Sequence, residues 1–224
     1  MYLLKKIRKH VTSREIILVV SEYLGFSRAQ LGGRCEDTQD LPLAPVQHKG
    51  GLVIDEEKKT VRVKGWITTL KQSNHCGIGW AGGSNGSAWG QTKFLIETEI
   101  QPDEVFAALS TIGKKSGNNL SWWNRDTAVE GDPVSIKLFW PGLDRLYDLS
   151  ELVRDSNGSP LELRFGGNLQ AAVKRKTGCI ACLTSCYVAI VSNAKLVLSE
   201  RKDHRFHITP LAPPPGTEVE LIFF

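Results

Sequence analysis

Apolar and polar residues alternate or cluster in a readable order from residue 51 onward. Leu52-Val53-Ile54 and Thr60-Val61-Arg62-Val63 flank the charged run Asp55-Glu56-Glu57-Lys58-Lys59, which predicts a hairpin. Lys93-Phe94-Leu95-Ile96-Glu97-Thr98 predicts the next strand. Gln101 followed by Pro102-Asp103-Glu104 opens a helix, with proline in its first turn. That helix carries Val105, Phe106, Ala108, Leu109 and Ile112, and Gly113 stops it. Further strands are expected at Val134–Trp140, Leu161–Phe165, Val188–Val191, Lys195–Leu198 and Glu218–Phe223. One internal helix among many strands predicts an α+β fold, a β-rich single domain. Strands and helices do not alternate regularly, which argues against a doubly wound sheet.

The pattern differs before residue 51. Leu3, Leu4, Ile7 and Val11 recur at helical spacing and predict an N-terminal helical segment. Thr12 with Glu15, or Ser13 before Ile16-Ile17, would start a second helix. A polar stretch from Gly32 to Gly50, with Pro42 and Pro45, reads as a linker. The expected organisation is a helical segment and linker over residues 1–50 and a β-rich domain over residues 51–224. Lys5, Lys6, Arg8, Lys9 and Arg14 precede the first acid, Glu15. They are the solvated face of a docking helix or, alternatively, a weak membrane-surface contact by residues 1–14. The apolar run Ile16–Val20 is too short for a signal peptide and is flanked by Glu15 and Glu22. No run approaches the roughly 18 apolar residues of a spanning helix. A cytoplasmic location is expected.

Composition narrows the function classes. The 224 residues are 41% apolar and 23% charged, enough for a core and against disorder. A net charge of +4 is too weak to predict nucleic acid as a partner. Gly77, Gly79 and Gly82 match G-x-G-x-x-G, but polar residues precede them and a strand follows, so a dinucleotide site is not expected. His75-Cys76 lacks the glutamate of a zinc deaminase, since residue 77 is glycine. Trp122-Trp123 reads as a core or rim pair without a basic stripe beside it. His204 and His207 stand three apart with no accompanying carboxylate pattern and read as loop or strand residues. No nucleophile elbow, H-E-x-x-H or P-loop is present, so no catalytic residue is assigned.

The segment Thr177–Ala194 is the chemically loaded one. It holds Cys179, Cys182 and Cys186 in a C-x2-C-x3-C run, three of the five cysteines in the chain. The close pair lets two thiolates turn toward one metal or cluster. On a helix the three would share a face. A cubane needs four ligands, and Cys76 in its glycine-rich surroundings is the better candidate for the fourth, whereas Cys35 falls in the expected linker. Three readings stay open: an iron–sulfur cluster, a structural zinc that His75 or Cys76 completes, and packed or redox-active thiols without metal.

The domain also resembles the YdjY-like family of bacterial proteins, which carry a ferredoxin-like label. The matching residues are Gly131-Asp132-Pro133-Val134-Ser135-Ile136 leading to Trp140, Phe165-Gly166-Gly167-Asn168, the cysteine run with Ser192-Asn193-Ala194, and Pro213-Pro214-Pro215-Gly216-Thr217-Glu218-Val219. The resemblance implies an iron–sulfur-binding accessory or electron-transfer protein of the 4Fe-4S type, acting with a redox partner protein. The run has one cysteine fewer than a ferredoxin's, and Tyr187 stands where the proline would be. No catalytic residue comes with the resemblance.

Overall fold

A computed structural model of the chain describes residues 47–49, 51–83 and 94–224. Its strands, in chain order, are β1 (Gln47–Lys49), β2 (Leu52–Asp55), β3 (Thr60–Ile67), β4 (Gln72–Ser73), β5 (Cys76–Trp80), β6 (Ile96–Thr98), β7 (Ile136–Phe139), β8 (Tyr147–Asp148), β9 (Val153–Asp155), β10 (Leu163–Phe165), β11 (Cys179–Cys182), β12 (Val191–Asn193), β13 (Phe206–Ile208) and β14 (Glu218–Phe223). Its helices are α1 (Pro102–Thr111), α2 (Leu149–Leu152) and α3 (Leu169–Arg175), with a 3₁₀ segment at Leu198–Asp203.

Eleven strands form one mixed sheet, curled into a half-barrel: nine run in the order β10-β12-β11-β5-β6-β3-β14-β7-β8, and β2, which pairs with β3, carries β1 off that path. The long strand β3 organises it. Thr60–Val63 pair with β2 and Gly65–Ile67 pair with β6 along one edge, while β14 runs antiparallel along the other. Val61, Val63, Gly65 and Ile67 are buried and alternate with Arg62, Lys64 and Trp66, the period-two pattern of a half-buried strand. The hairpin into β3 turns on Lys59, whose φ is +53°, and the Asp55 carboxylate accepts the Lys58 amide at 2.9 Å. A smaller sheet, β4-β13-β9, completes the strand pairing among the described residues.

Helix α1 begins where the sequence places it. The Glu104 carboxylate reaches back to accept the Gln101 amide at 3.0 Å, one half of a capping box. Gly113, at φ +92°, takes the left-handed turn that ends it. The face carrying Val105, Ala108 and Leu109 is buried in a large aliphatic cluster with Val63, Ile78, Ile96, Phe165, Leu221 and Phe223. Each such side chain removed from water stabilises the fold by about 1.5–3 kcal/mol before ordering costs.

The structure corrects several expectations. The fold is not α+β; a curled mixed sheet dominates it, and the expected N-terminal helical segment lies outside the described residues. Gln47–Lys49, assigned to the linker, pair as a strand with β2. The cysteine run is no helix, because Cys179–Cys182 form β11, and Lys195–Leu198 is turn leading into the 3₁₀ segment instead of strand. The apolar run Cys179-Ile180-Ala181-Cys182 is buried at every position, which reads equally as buried strand or buried helix. Neighbouring strands on both edges decide it.

Candidate functional site: a buried cysteine pocket

The four cysteines singled out by spacing lie in one buried cluster. Cys76, Cys179, Cys182 and Cys186 pack together with Phe94, Val188 and Ala189, and Ala171 and Tyr187 lie against them. All four are free thiols, and Cys182 is fully buried. Cys35 lies outside the described residues.

Backbone register produces this convergence. Strands β5 and β11 are antiparallel, and Cys76 is the direct cross-strand partner of Cys182. Residues directly opposite on antiparallel strands hold their Cβ atoms about 4.5–5.5 Å apart. In a regular strand, Cys179 and Cys182 would point to opposite faces, being three residues apart. The β5–β11 register shifts between Cys179 and Ala181 and again between Ala181 and Cys182. Such irregularities re-aim side chains, and both thiols end in the same cluster. Gly79 permits the close packing beside them, since a Cβ there would stand 2.3 Å from the Phe94 ring.

Cys186 arrives on the connection from β11 to β12, and polar side chains fix that connection. The Ser192 hydroxyl accepts the Cys186 amide and donates to the Cys186 carbonyl, both at 3.3 Å. The Asn193 side chain donates to the Leu183 carbonyl at 3.1 Å. Ser185 donates to the Asn193 carbonyl at 2.9 Å and accepts the Val129 amide at 2.9 Å. On the other strand the Ser73 hydroxyl accepts the Cys76 amide at 2.9 Å. Cysteine spacing alone missed these positioning residues. Only Ser192-Asn193 carried a signal, as part of the resembled motif.

Cys182 is the hub of the thiols. Its sulfur donates to the His75 carbonyl at 3.1 Å and lies 3.6 Å from the Thr184 hydroxyl. Burial alone would hold its proton on, but hydrogen bonds from Cys179 and Cys186 outweigh that and hold its pKa well below the ordinary thiol value. The hydrogen bond to Cys182, followed by burial, raises Cys179 and Cys186. Burial, followed by the neighbouring Cys182, raises Cys76. Burial likewise lowers His75, so its imidazole is kept neutral, and its buried Nδ1 has no hydrogen-bond partner. A thiolate at Cys182 would face the His75 carbonyl oxygen, a repulsive contact unless a proton or a cation stands between them.

The donor set is soft, four sulfurs with a neutral imidazole adjacent in sequence, and suits thiophilic metals instead of magnesium or calcium. The side chains as placed close on Cys182. Among the described residues no group of three or more His, Cys, Asp or Glu is posed to hold a metal ion. Donor identity would suit a thiolate centre, while the thiols themselves form a packed, buried cluster.

The remaining candidates sort plainly. Gly77 and Gly79 lie in strand β5, and the next element among the described residues is another strand, β6. His204 does have a carboxylate partner, contrary to its sequence reading: its Nδ1 lies 2.7 Å from the Asp155 carboxylate, brought from β9. His207 is exposed on β13. No helix among the described residues is long and apolar enough to cross a membrane.

Comparison with known proteins places this chain in a family. The YdjY domain model matches residues 52–224. The chain is 37% identical over 166 residues to the "Uncharacterized protein YdjY" of Escherichia coli (strain K12), covering 70% of this chain and 72% of that one. No solved structure matches. The chain belongs to the YdjY family.

Proposed function

We propose that this chain is an iron–sulfur-binding accessory or electron-transfer protein, with Cys76, Cys179, Cys182 and Cys186 as the ligands. One observation carries the reading: a cysteine about a hundred residues from the C-x2-C-x3-C run stands directly across the sheet from its central thiol. Chance packing of small apolar side chains does not require four thiols at one point. When bound, a cluster of this kind supplies one-electron chemistry. The chain's own residues do the rest. The β5–β11 register presents two sulfurs, Ser192 and Asn193 hold the turn that presents a third, and Phe94, Val188 and Ala189 exclude water. Exclusion of water lowers the local dielectric and so tunes a potential.

A second reading has its own support. The buried, unpartnered Nδ1 of His75 would complete a zinc site as readily as Cys76. Zinc–sulfur bonds of about 2.3 Å place ligand sulfurs close together.

Anaerobic purification with iron, sulfide and zinc analysis separates the readings. About four iron and four sulfide per chain are expected for a cubane, and about one zinc for the alternative. A colourless protein holding neither metal sinks both and leaves the thiols as core or redox groups.

A further inference from the structure

One face of the molecule combines exposed aromatic rings with arginines directly outside the cysteine pocket. Trp123 is 89% exposed and Trp122 48%, the two most solvent-open of the tryptophans whose surroundings are described, Trp66, Trp80 and Trp140 being half-buried. Trp122 meets the Tyr187 ring edge-on at 5.7 Å and 78°. Tyr187 follows Cys186 in the chain and packs against the cysteine cluster. The aromatic pair thus spans from solvent to the pocket.

Cations surround this pair. The Arg125 guanidinium stacks over Trp122 at 5.3 Å, and its buried Nε has no hydrogen-bond partner. The Arg125 carbonyl accepts the Ser199 amide at 3.2 Å, tying the Leu198–Asp203 segment, and with it Arg201, to this face. Arg175 is exposed at the end of α3, whose Ala171 packs on the pocket beside Tyr187. Lys174, Arg175 and Lys176 form an uninterrupted basic run there. All three guanidiniums act electrostatically on the Tyr187 hydroxyl, although burial is the larger influence on it. Among the described residues, none of the three lies within ion-pair distance of a carboxylate. The tryptophan pair, expected to lack a basic stripe, has cations nearby: Arg125 follows it by two residues, and folding brings Arg175 and Arg201 from two other segments.

Exposed tryptophan and arginine are the residue types that dominate protein-binding hot spots. A cationic ring around them selects a partner by charge and speeds its encounter. We infer that Trp122, Trp123, Tyr187, Arg125, Arg175 and Arg201 form the docking face for an electron-carrier protein with an acidic surface. The partner's electron-carrying nature rests on the proposed metal reading of the pocket; the acidic face rests on the arginines alone.

The test uses the full chain, purified anaerobically, and the same chain after metal removal. A flavodoxin serves as a small acidic carrier, a basic c-type cytochrome as the charge-reversed control, and a (dT)20 oligonucleotide as the rival polyanion. Calorimetry should show flavodoxin binding that weakens roughly 10-fold or more between low and physiological salt. Arg175→Glu should weaken it about 5- to 10-fold, and Trp123→Ala by about 5-fold or more. Both side chains are exposed, so circular dichroism should be unchanged. No flavodoxin binding at low salt overturns the proposal, as does equal binding by both variants. Arginine-dependent binding of (dT)20 without flavodoxin binding overturns it in favour of a nucleic-acid face. Metal content is read separately on each preparation. Docking without iron removes the cluster reading and keeps the acidic-partner face; iron without docking does the reverse.

Discussion

Two buried clusters share this sheet and are built on different logic. Around β3, β14 and β7 the interior is valine, isoleucine, leucine and phenylalanine, including Val61, Val63, Leu138, Phe165, Leu221 and Phe223. Burial of apolar area accounts for every one of them. Around β5 and β11 the interior is equally dry, yet it contains four thiols and adjoins a histidine nitrogen with no partner. An aliphatic side chain would fill each of those sites at lower polar cost. The first region explains why the chain folds. The second has polar groups that folding alone does not call for, and those mark where function is sought.

The sharpest separation of the two regions is their response to chelation. If the pocket holds metal, prolonged chelator treatment of the loaded protein should lower its Tm by about 10 °C or more, because metal binding is coupled directly to folding. Cys182→Ala should abolish metal retention and remove the chelator effect. If the thiols are packing only, chelator should leave Tm unchanged, and Cys182→Ala should cost no more than about 1–3 kcal/mol in a urea melt. By contrast, Phe165→Ala in the aliphatic region should cost about 3–5 kcal/mol with or without metal, as its ring is fully buried. A Phe165→Ala cost that depended on metal would mean that the two clusters are not independent.

Much of the aliphatic region was legible in the sequence and less of the pocket's architecture was. The β2–β3 hairpin, helix α1 and strand β14 follow local rules: period-two burial, a proline-led helix start and a final run whose limits, Glu218–Phe223, the structure repeats. The run Cys179, Cys182 and Cys186 was legible because thiol spacing is a local pattern; Cys76 was nominated from its glycine-rich surroundings, and it packs in the same cluster. What was hidden is tertiary. Four consecutive buried residues carry no period, so β11 could not be told from a helix. The register shifts that bring Cys179 and Cys182 together depend on β5, which is far away in sequence. Gly77 and Gly79 looked like loop because glycine is poor in strands, yet Gly79 admits the Phe94 ring and Gly77 the Leu183 side chain. Asp155 and His204 meet across 49 residues, and no spacing rule reaches that far.

The glycine offers a graded probe of the boundary between the regions. Gly79 is buried, and an added methyl would stand 2.3 Å from the Phe94 ring, which itself lies in the cysteine cluster. Gly79→Ala should destabilise by about 1–3 kcal/mol through overpacking. Because Phe94 must shift, metal retention should fall as well. Near-wild-type metal content in a variant destabilised by that amount would show that Phe94 does not seal the pocket.

The smallest expected effect lies outside both clusters and tests whether buried polarity alone singles out the cysteine pocket. Asp155 is buried on β9 and carries its charge against the His204 imidazole at 2.7 Å. Burial favours its neutral form. Hydrogen bonds from His204 and from the Ser159 amide prevail, and its pKa lies below the ordinary aspartate value. A depressed carboxylate pKa contributes stability that is fully present above the unfolded value, about 3.9. That contribution is lost as pH falls through the lower folded value. Asp155→Asn should therefore cost about 1–2 kcal/mol at pH 7, the range for losing a buried charged hydrogen bond. The gap to wild type should shrink below about pH 4 and close in stronger acid. Urea melts across that range provide the measurement, and chelator should change none of them. A gap that persisted unchanged in acid would mean that Asp155 acts by packing or backbone geometry instead of charge. A chelator-dependent gap would make the Asp155–His204 pair part of the metal-linked region and erase its use as a control.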